Sequence, residues 1–391
     1  MQPAELHAGR VMGSINRHEA GYFLPSDWIL WRSEGRLDAI RLSSGDHLQI
    51  ASGPELDPLN RESCASVWDS LARFEPLVGQ LRAAIEERAL EPLTRATVLR
   101  GSGWRQLFVE LTARCNERCV HCYAESSPLR TESLSWPEIS SVIEDAKALD
   151  FDLVQLTGGD PLISPHCVRA VERAREVGIP QVEIYTNGLA LSGATYERLR
   201  DLAPSFAFSF YSHDADTHDA ITRTPGSHAR TTRAIRRAIE DGLKVRIGVI
   251  SMRQNLADAS KTYEYLLTLG VAEDAVGFDR MRDVGRGGDT PFDEPGRPDA
   301  LRSGSAHSTR PRNFGGSAAV SFDGTVYPCI FSRHLPLGSV REIGLKDILT
   351  SAAPIAPQKD SLLAARERWS GKLSCWECQA RSALLDGSCD A

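Results

Sequence analysis

Cysteine is the residue type in this 391-residue chain with the clearest capacity for chemistry, and the nine cysteines are unevenly placed. Three fall within eight residues, as Cys115-x3-Cys119-x2-Cys122, and three within the last seventeen, Cys375, Cys378 and Cys389. Cys64, Cys167 and Cys329 stand apart. In a reducing compartment, clustered cysteines bind metal or do chemistry more often than they form disulfides. The first trio admits two readings. Structural zinc wants four closed ligands, and His121 lies between two of the cysteines, not beyond them. Three closely spaced thiolates suit three corners of a 4Fe–4S cube and leave one iron open for a substrate or cofactor. In the tail, Gly324-x4-Cys329, Cys375-x2-Cys378 and Cys389 supply four more thiolates. These are enough for one closed 4Fe–4S cluster or for a zinc ribbon, and without Cys389 an iron there would stay open. Cys64 and Cys167 have no partner at metal spacing. Cys167 falls in a helical pattern and reads as a small buried apolar side chain.

The elements that must position these thiols follow a regular alternation from residue 105. Apolar runs at 106–112, 153–157, 181–186, 206–210, 244–250 and 275–279 read as strands. Amphipathic patterns near 136–149, 165–177, 192–202, 228–241 and 258–269 read as helices between them. Six strands alternating with five helices predict an α/β fold with a parallel sheet, whose ligands sit at the C-terminal strand ends. Cys115 follows the first of those ends, and the pairs Gly158-Gly159 and Asn187-Gly188 follow the next two. After the second end, Thr157-Gly158-Gly159-Asp160-Pro161 combines glycines that let backbone approach a ligand with an acid suited to an ammonium group. Residues 285–312 are rich in Gly, Pro, Arg, Ser and Asp and read as a linker or lid, Gly285-Arg286-Gly287 being too short for a nucleotide loop. Ala318 to Pro328 reads as a hairpin turning at Asp323-Gly324. Before residue 104, strand-like stretches at 28–31 and 36–42 and helical patterns at 61–73 and 76–90 suggest a winged-helix-like module. Arg230, Arg233, Arg236 and Arg237 read as a solvated helix face.

With those motifs in view, the sequence resembles the radical SAM superfamily, whose signature is C-x3-C-x2-C in the loop after the first strand of a partial (β/α)6 barrel. The resemblance implies a catalytic 4Fe–4S cluster on Cys115, Cys119 and Cys122. S-adenosylmethionine would chelate the open iron and yield a 5′-deoxyadenosyl radical. By the same likeness Gly158, Gly159 and Asp160 stand for the Gly-Gly-Glu-Pro motif that holds the methionine amino group, with Asp for Glu. Thr186-Asn187-Gly188 is similar to the Thr-Asn-Gly of peptide-modifying members, so Asn187 is assigned to the cofactor. Ser209 would touch the ribose and Arg223 the carboxylate, with Val249 or Ile250 against the adenine. Tyr211-Ser212 stands where members commonly have Asp-Gly. The tail resembles the SPASM/Twitch extension, which implies one auxiliary 4Fe–4S cluster on Cys329, Cys375, Cys378 and Cys389. Three of that pattern's seven cysteines are missing, the leading one among them.

These readings divide the chain into 1–104, an N-terminal module; 105–284, the barrel; 285–312, the linker or lid; and 313–391, a hairpin-plus-helix cluster domain. The resemblance implies oxidative modification, such as crosslinking, of a ribosomally made precursor peptide. The N-terminal module then either binds the leader or is a strap against the barrel. A small-molecule dehydrogenase or epimerase acting on a sugar or cyclitol is the alternative. A reducing partner such as flavodoxin or ferredoxin is implied as well. No residue is assigned as a catalytic acid, base or nucleophile. Composition agrees with a folded cytoplasmic enzyme: 41% apolar and 25% charged residues exclude a disordered chain. A net charge of −7 disfavours nucleic-acid binding, and no apolar run is long enough for a membrane span. A non-catalytic redox or zinc-binding role is disfavoured by the Gly-Gly-Asp-Pro and Thr-Asn-Gly strand ends.

Overall fold

A computed structural model describes residues 21–24, 28–33, 36–41, 47–52, 91–101, 103–282, 284–288 and 315–352. Its centre is a parallel sheet of β6 (Gln106–Glu110), β7 (Leu153–Thr157), β8 (Gln181–Thr186), β9 (Ser205–Ser209), β10 (Val245–Ser251) and β11 (Val276–Arg280), paired in chain order. Helices at Trp136–Ala148, Cys167–Glu176, Gly193–Leu202, Ser227–Glu240 and Ala259–Thr268 fill the crossovers. Every predicted strand and helix of the barrel is present, shifted by at most two residues at an end. One further helix, Ala215–Thr222, has too few apolar residues to register as an amphipathic pattern.

Strand alternation sorts the side chains into two layers. On the helix side Leu107, Val109, Val154, Leu156, Val182, Ile184, Phe206, Phe208, Ile247 and Val249 form one buried apolar core. The opposite face carries polar residues that satisfy each other. There Arg246 donates Nε and Nη2 to the two Glu183 carboxylate oxygens at 2.7 and 2.6 Å, and Gln155 donates to the same carboxylate.

The hairpin at 318–328 is present as β12 (Ser317–Val320) and β13 (Thr325–Tyr327), continued by β14 (Gly338–Ser339). Its placement was not legible in the sequence. β12 runs parallel to β6, with Ala319 opposite Phe108, so the hairpin extends the barrel sheet to nine strands. The predicted linker also differs at its start, because Gly285–Gly287 is a helical turn packed on the first cysteine loop. The N-terminal stretches at 28–31 and 36–42 appear as β2 (Trp28–Ser33) and β3 (Arg36–Arg41), in an antiparallel sheet ordered β4-β3-β2-β1-β5. β1 is Gly21–Leu24, β4 His47–Ser52 and β5 Glu91–Pro92. The patterns at 61–73 and 76–90, Cys64, and most of 285–312 lie outside the described residues. Among the described residues no helix is long and apolar enough to cross a membrane.

Candidate active site

The cysteine loop leaves β6 at the C-terminal rim of the barrel and is held by backbone bonds from several directions. Cys115 N–H donates to the Ser127 carbonyl (3.1 Å), while Arg118 and Val120 N–H groups donate to Thr222 and Ile221 at the end of the Ala215–Thr222 helix (3.1 and 3.0 Å). Cys115 is buried, and Cys119 and Cys122 are partly exposed. Burial pushes the Cys115 and Cys119 thiols above their ordinary range. The three thiols are near enough that mutual repulsion adds to the shift at Cys115 and Cys119. Such thiols stay protonated unless a cation takes the charge, which is the condition of a metal-cluster ligand.

Gly158 and Gly159 follow β7, and their approach is to the chain itself. A Cβ at Gly158 would lie 2.5 Å from the Thr112 carbonyl oxygen, and one at Gly159 would lie 2.0 Å from that of Arg114. The second strand end thereby packs flat against the segment leading into Cys115. Asp160 is wholly buried and accepts from Leu162 N–H (3.0 Å), the Thr186 hydroxyl (2.7 Å) and Asn187 N–H (2.9 Å). The acid expected to meet an ammonium group thus ties the second strand end to the third.

Asn187 reaches the cysteine loop directly: its Nδ2 donates to Asn116 Oδ1 (2.6 Å) and lies 3.8 Å from Cys115 Sγ. Ser209 ends β9 beside the hydroxyls of Tyr185 and Tyr211. Of the two adenine candidates, Val249 packs into the helix-side core, whereas Ile250 joins Tyr211, Met252, Met281 and Cys119 above the sheet. Arg223 caps the Ala215–Thr222 helix in a left-handed conformation (φ 52°) and is exposed, with no hydrogen bond or ion pair of its guanidinium to a described residue. The site thus gathers Gly158, Gly159, Asp160, Asn187 and Ser209 at three neighbouring strand ends and leaves Arg223 at its edge. Cys167 is buried in a helix, as expected, and Arg230, Arg233 and Arg236 are exposed.

Glu117 and Arg333, both at the site, carried no motif. Glu117, between two of the cysteines, is buried and accepts from the Ser227 hydroxyl; burial pushes its carboxyl up to about 7. Tyr211 packs edge-on against His121 (centroids 4.8 Å), whose imidazole burial and the Arg286 charge hold down at about 4. Arg333, four residues after Cys329, pairs with buried Glu110 of β6 and donates to Ser321 Oγ (3.1 Å). Its guanidinium also lies over the Tyr123 ring, 5.3 Å from the centroid, so the tail hairpin meets the residue following Cys122. Cys329 is the one auxiliary candidate among the described residues; Cys375, Cys378 and Cys389 lie outside them.

Comparison with known proteins agrees with this geometry. The model of the radical SAM superfamily matches residues 109–266, and that of the SPASM iron–sulfur cluster-binding domain matches residues 313–379. Among curated proteins, the AdoMet-dependent heme synthase of Methanosarcina barkeri is 29% identical over 185 residues, 47% of this chain and 52% of that protein. The Bacillus subtilis antilisterial bacteriocin subtilosin biosynthesis protein AlbA is 28% identical over 186 residues, 46% of this chain and 40% of that protein. The chain thus aligns with about half the length, or less, of the curated relatives it matches. In fold it is similar to the crystal structure of Streptococcus suis SuiB, with a TM-score of 0.53, 11% identity and coverage of 88% of this chain and 90% of that one.

A radical SAM domain implies S-adenosylmethionine and a 4Fe–4S cluster, and a SPASM domain implies auxiliary iron–sulfur clusters. The residues at the barrel rim fit the first cluster. Among the described residues no three Cys, His, Asp or Glu side chains converge on one point, as a single ion would require. Cysteines that each bind a different iron of a cube need not converge. With its cysteine loop at the rim of a six-stranded parallel barrel and a hairpin continuing the same sheet, this chain carries a radical SAM domain over residues 109–266 and a SPASM domain over residues 313–379.

Proposed function

We propose that this protein oxidatively modifies, by crosslinking, a ribosomally made precursor peptide. The observation that carries the peptide reading is the antiparallel N-terminal sheet, whose strand β4 lies at one edge among the described residues. An edge strand offers unpaired backbone groups to which an extended leader can add as a further strand. The likeness to SuiB extends over most of the chain, and a crystal structure of SuiB holds its precursor peptide SuiA. AlbA is named for biosynthesis of a bacteriocin.

When bound, S-adenosylmethionine and the clusters supply a 5′-deoxyadenosyl radical and an electron sink. The chain supplies position and dryness. Cys115, Cys119 and Cys122 hold the catalytic cluster, and Cys329, Cys375, Cys378 and Cys389 an auxiliary one. Asn187 and Ser209 orient the cofactor from two strand ends, and Ile250, Met252 and Met281 line its apolar side. Asp160 fixes Asn187 through the backbone; we assign it to positioning, with Gly158 and Gly159, ahead of direct ammonium contact. Arg223 stands at the carboxylate edge. With those groups bound, the peptide would give up one hydrogen atom to the 5′-deoxyadenosyl radical, leaving 5′-deoxyadenosine, and one proton whose electron would pass to the sink. Flavodoxin or ferredoxin supplies the electron that starts each turnover.

Incubating the reduced, reconstituted enzyme with a precursor encoded beside its gene should give 5′-deoxyadenosine and a peptide lighter by two hydrogens. A product of unchanged mass would point to epimerisation, and no peptide product at all would sink the reading. The second reading is a small-molecule substrate, such as a sugar or cyclitol. It is favoured by the heme synthase similarity, which covers 52% of an enzyme named for a non-peptide product. Turnover of such a molecule without any peptide would establish it.

A further inference from the structure

Gly285–Gly287 lies between the segments matched by the two family models, 109–266 and 313–379. We propose that Arg286 is a positioning residue for the catalytic cluster, holding the cysteine loop in the shape that lets Cys115, Cys119 and Cys122 share one cube.

A single residue supplies three donors to three carbonyls of the loop. Arg286 Nε donates to the Cys119 carbonyl (2.8 Å), Nη2 to that of Ser126 (2.9 Å), and the backbone N–H to that of Cys122 (3.1 Å). Two of these carbonyls belong to the ligating cysteines themselves. The planar fork of arginine reaches two acceptors at fixed spacing, which a lysine ammonium on a flexible stem cannot reproduce. The flanking residues are shaped for the same contact. Gly285 has φ 57°, and a Cβ on it would lie 2.5 Å from the Tyr123 carbonyl oxygen and 2.7 Å from that of Cys122. A Cβ on Gly287 would lie 2.2 Å from the Arg282 carbonyl oxygen. Glycine at 285 lets the turn press its backbone against the loop, and glycine at 287 lets the turn close on the Arg282 carbonyl.

The contact also places a fixed positive charge beside a site that gathers thiolates. A cluster's properties respond to net charge, hydrogen bonding and solvent exposure, and this guanidinium bears on the first. A role confined to tying β11 to the rest of the barrel would leave the electronic state of a bound cluster unchanged. Separating the two roles needs a spectroscopic readout. The inference depends on the loop holding a cluster and is independent of whether the substrate is a peptide.

The test uses the full chain reconstituted anaerobically with iron and sulfide, as wild type, Arg286→Lys and Arg286→Met. Iron release to a ferrous chelator and the electron paramagnetic resonance spectrum of the reduced protein are measured with and without S-adenosylmethionine. The spectrum of a Cys115→Ala/Cys119→Ala/Cys122→Ala variant is subtracted to isolate the catalytic site. Loss of two charge-assisted hydrogen bonds should make Arg286→Met release catalytic-site iron about tenfold faster or more. Its reduced spectrum should shift, and the spectral response to S-adenosylmethionine should weaken. Arg286→Lys should fall between Arg286→Met and wild type, with auxiliary-site iron unaffected in both. Wild-type release and an unchanged spectrum in Arg286→Met would overturn the inference. So would parallel loss of iron from both sites together with a lowered melting temperature of the apo chain, which would mark a general fold role. If Arg286→Met is insoluble, Arg286→Lys decides by the same criteria.

Discussion

The two faces of the barrel sheet differ in how they are held together. The helix side is a continuous apolar layer in which Phe206 and Phe208 stack at 5.8 Å. The opposite face is built from Gln155, Glu183 and Arg246 within the sheet and from Glu110, Asp160 and Asn187 at the rim, each bonded to a neighbour from another element. Apolar packing is tolerant of sequence and non-directional, so it can support the fold without fixing a site. Buried polar groups must meet named partners, and that requirement fixes strand ends relative to one another. The fold therefore rests mainly on one face and the chemistry on the other.

The largest effect tests the second half of that comparison. Replacing Cys115, Cys119 and Cys122 together with alanine should abolish 5′-deoxyadenosine formation and remove one cluster's iron, with little change in the far-ultraviolet circular dichroism of the apo chain. Surviving cofactor cleavage would break the assignment of the loop. The next test is on the helix side. Phe208→Ala removes a fully buried ring and should cost about 3–5 kcal/mol in denaturant unfolding of the apo chain. The folded fraction should still take up iron at the loop.

Arg246→Met leaves the Glu183 carboxylate buried without its cation and should cost about 3 kcal/mol. The double change Arg246→Met/Glu183→Met should recover most of that loss. Failure to recover would mean that this polar layer does more than satisfy itself.

The smallest effect concerns His218, which accepts from Tyr211 N–H (3.3 Å) and sits against the Ser227 hydroxyl (3.4 Å). Glu117 bonds that serine, and His228 and Asp219 are the other charged groups facing the ring. Burial holds the imidazole down at about 3, with His228 adding to the shift and Asp219 opposing it. Below the unfolded value near 6.5 the unfolded chain takes up a proton that the folded chain refuses. This contribution to stability is complete above about pH 6.5 and declines as pH falls toward 3, by up to about 1.4 kcal/mol per pH unit. His218→Phe should flatten the stability profile of the apo chain between pH 6.5 and 5. An unchanged slope would show that this histidine is not the group responsible.

The barrel and the cysteine trio were legible in the sequence because local signals mark them: apolar runs, glycine returns and a short spacing. What the sequence concealed is contact between distant residues. Arg286 meets Cys119 across 167 positions, and Arg333 meets Glu110 across 223. Neither arginine sits in a pattern that distinguishes it from a surface charge. The strand ends teach the same lesson on a smaller scale. Gly158-Gly159 was read as making room for a ligand, but in the folded chain the glycines make room for the carbonyls of Thr112 and Arg114. The side chain of Asp160 is spent on the next strand end. A motif identifies which residues matter more readily than it identifies what they touch.

The parallel pairing of β12 with β6 bears on how the chain is made. The strand leading into the cysteine loop is flanked by β7 on one side and by β12 on the other, and β12 begins at residue 317. During synthesis the barrel strands emerge first, and β6 keeps an open hydrogen-bonding edge until the residues of β12 have left the ribosome. That pairing is among the longest-range in the sheet, so its closure belongs to the late, slow part of folding. Chains truncated before residue 317 should expose that edge and aggregate, even though every barrel strand is present. The catalytic strand is then completed by the same event that seats the auxiliary hairpin, a built-in order of assembly in which no finished barrel precedes its second cluster domain.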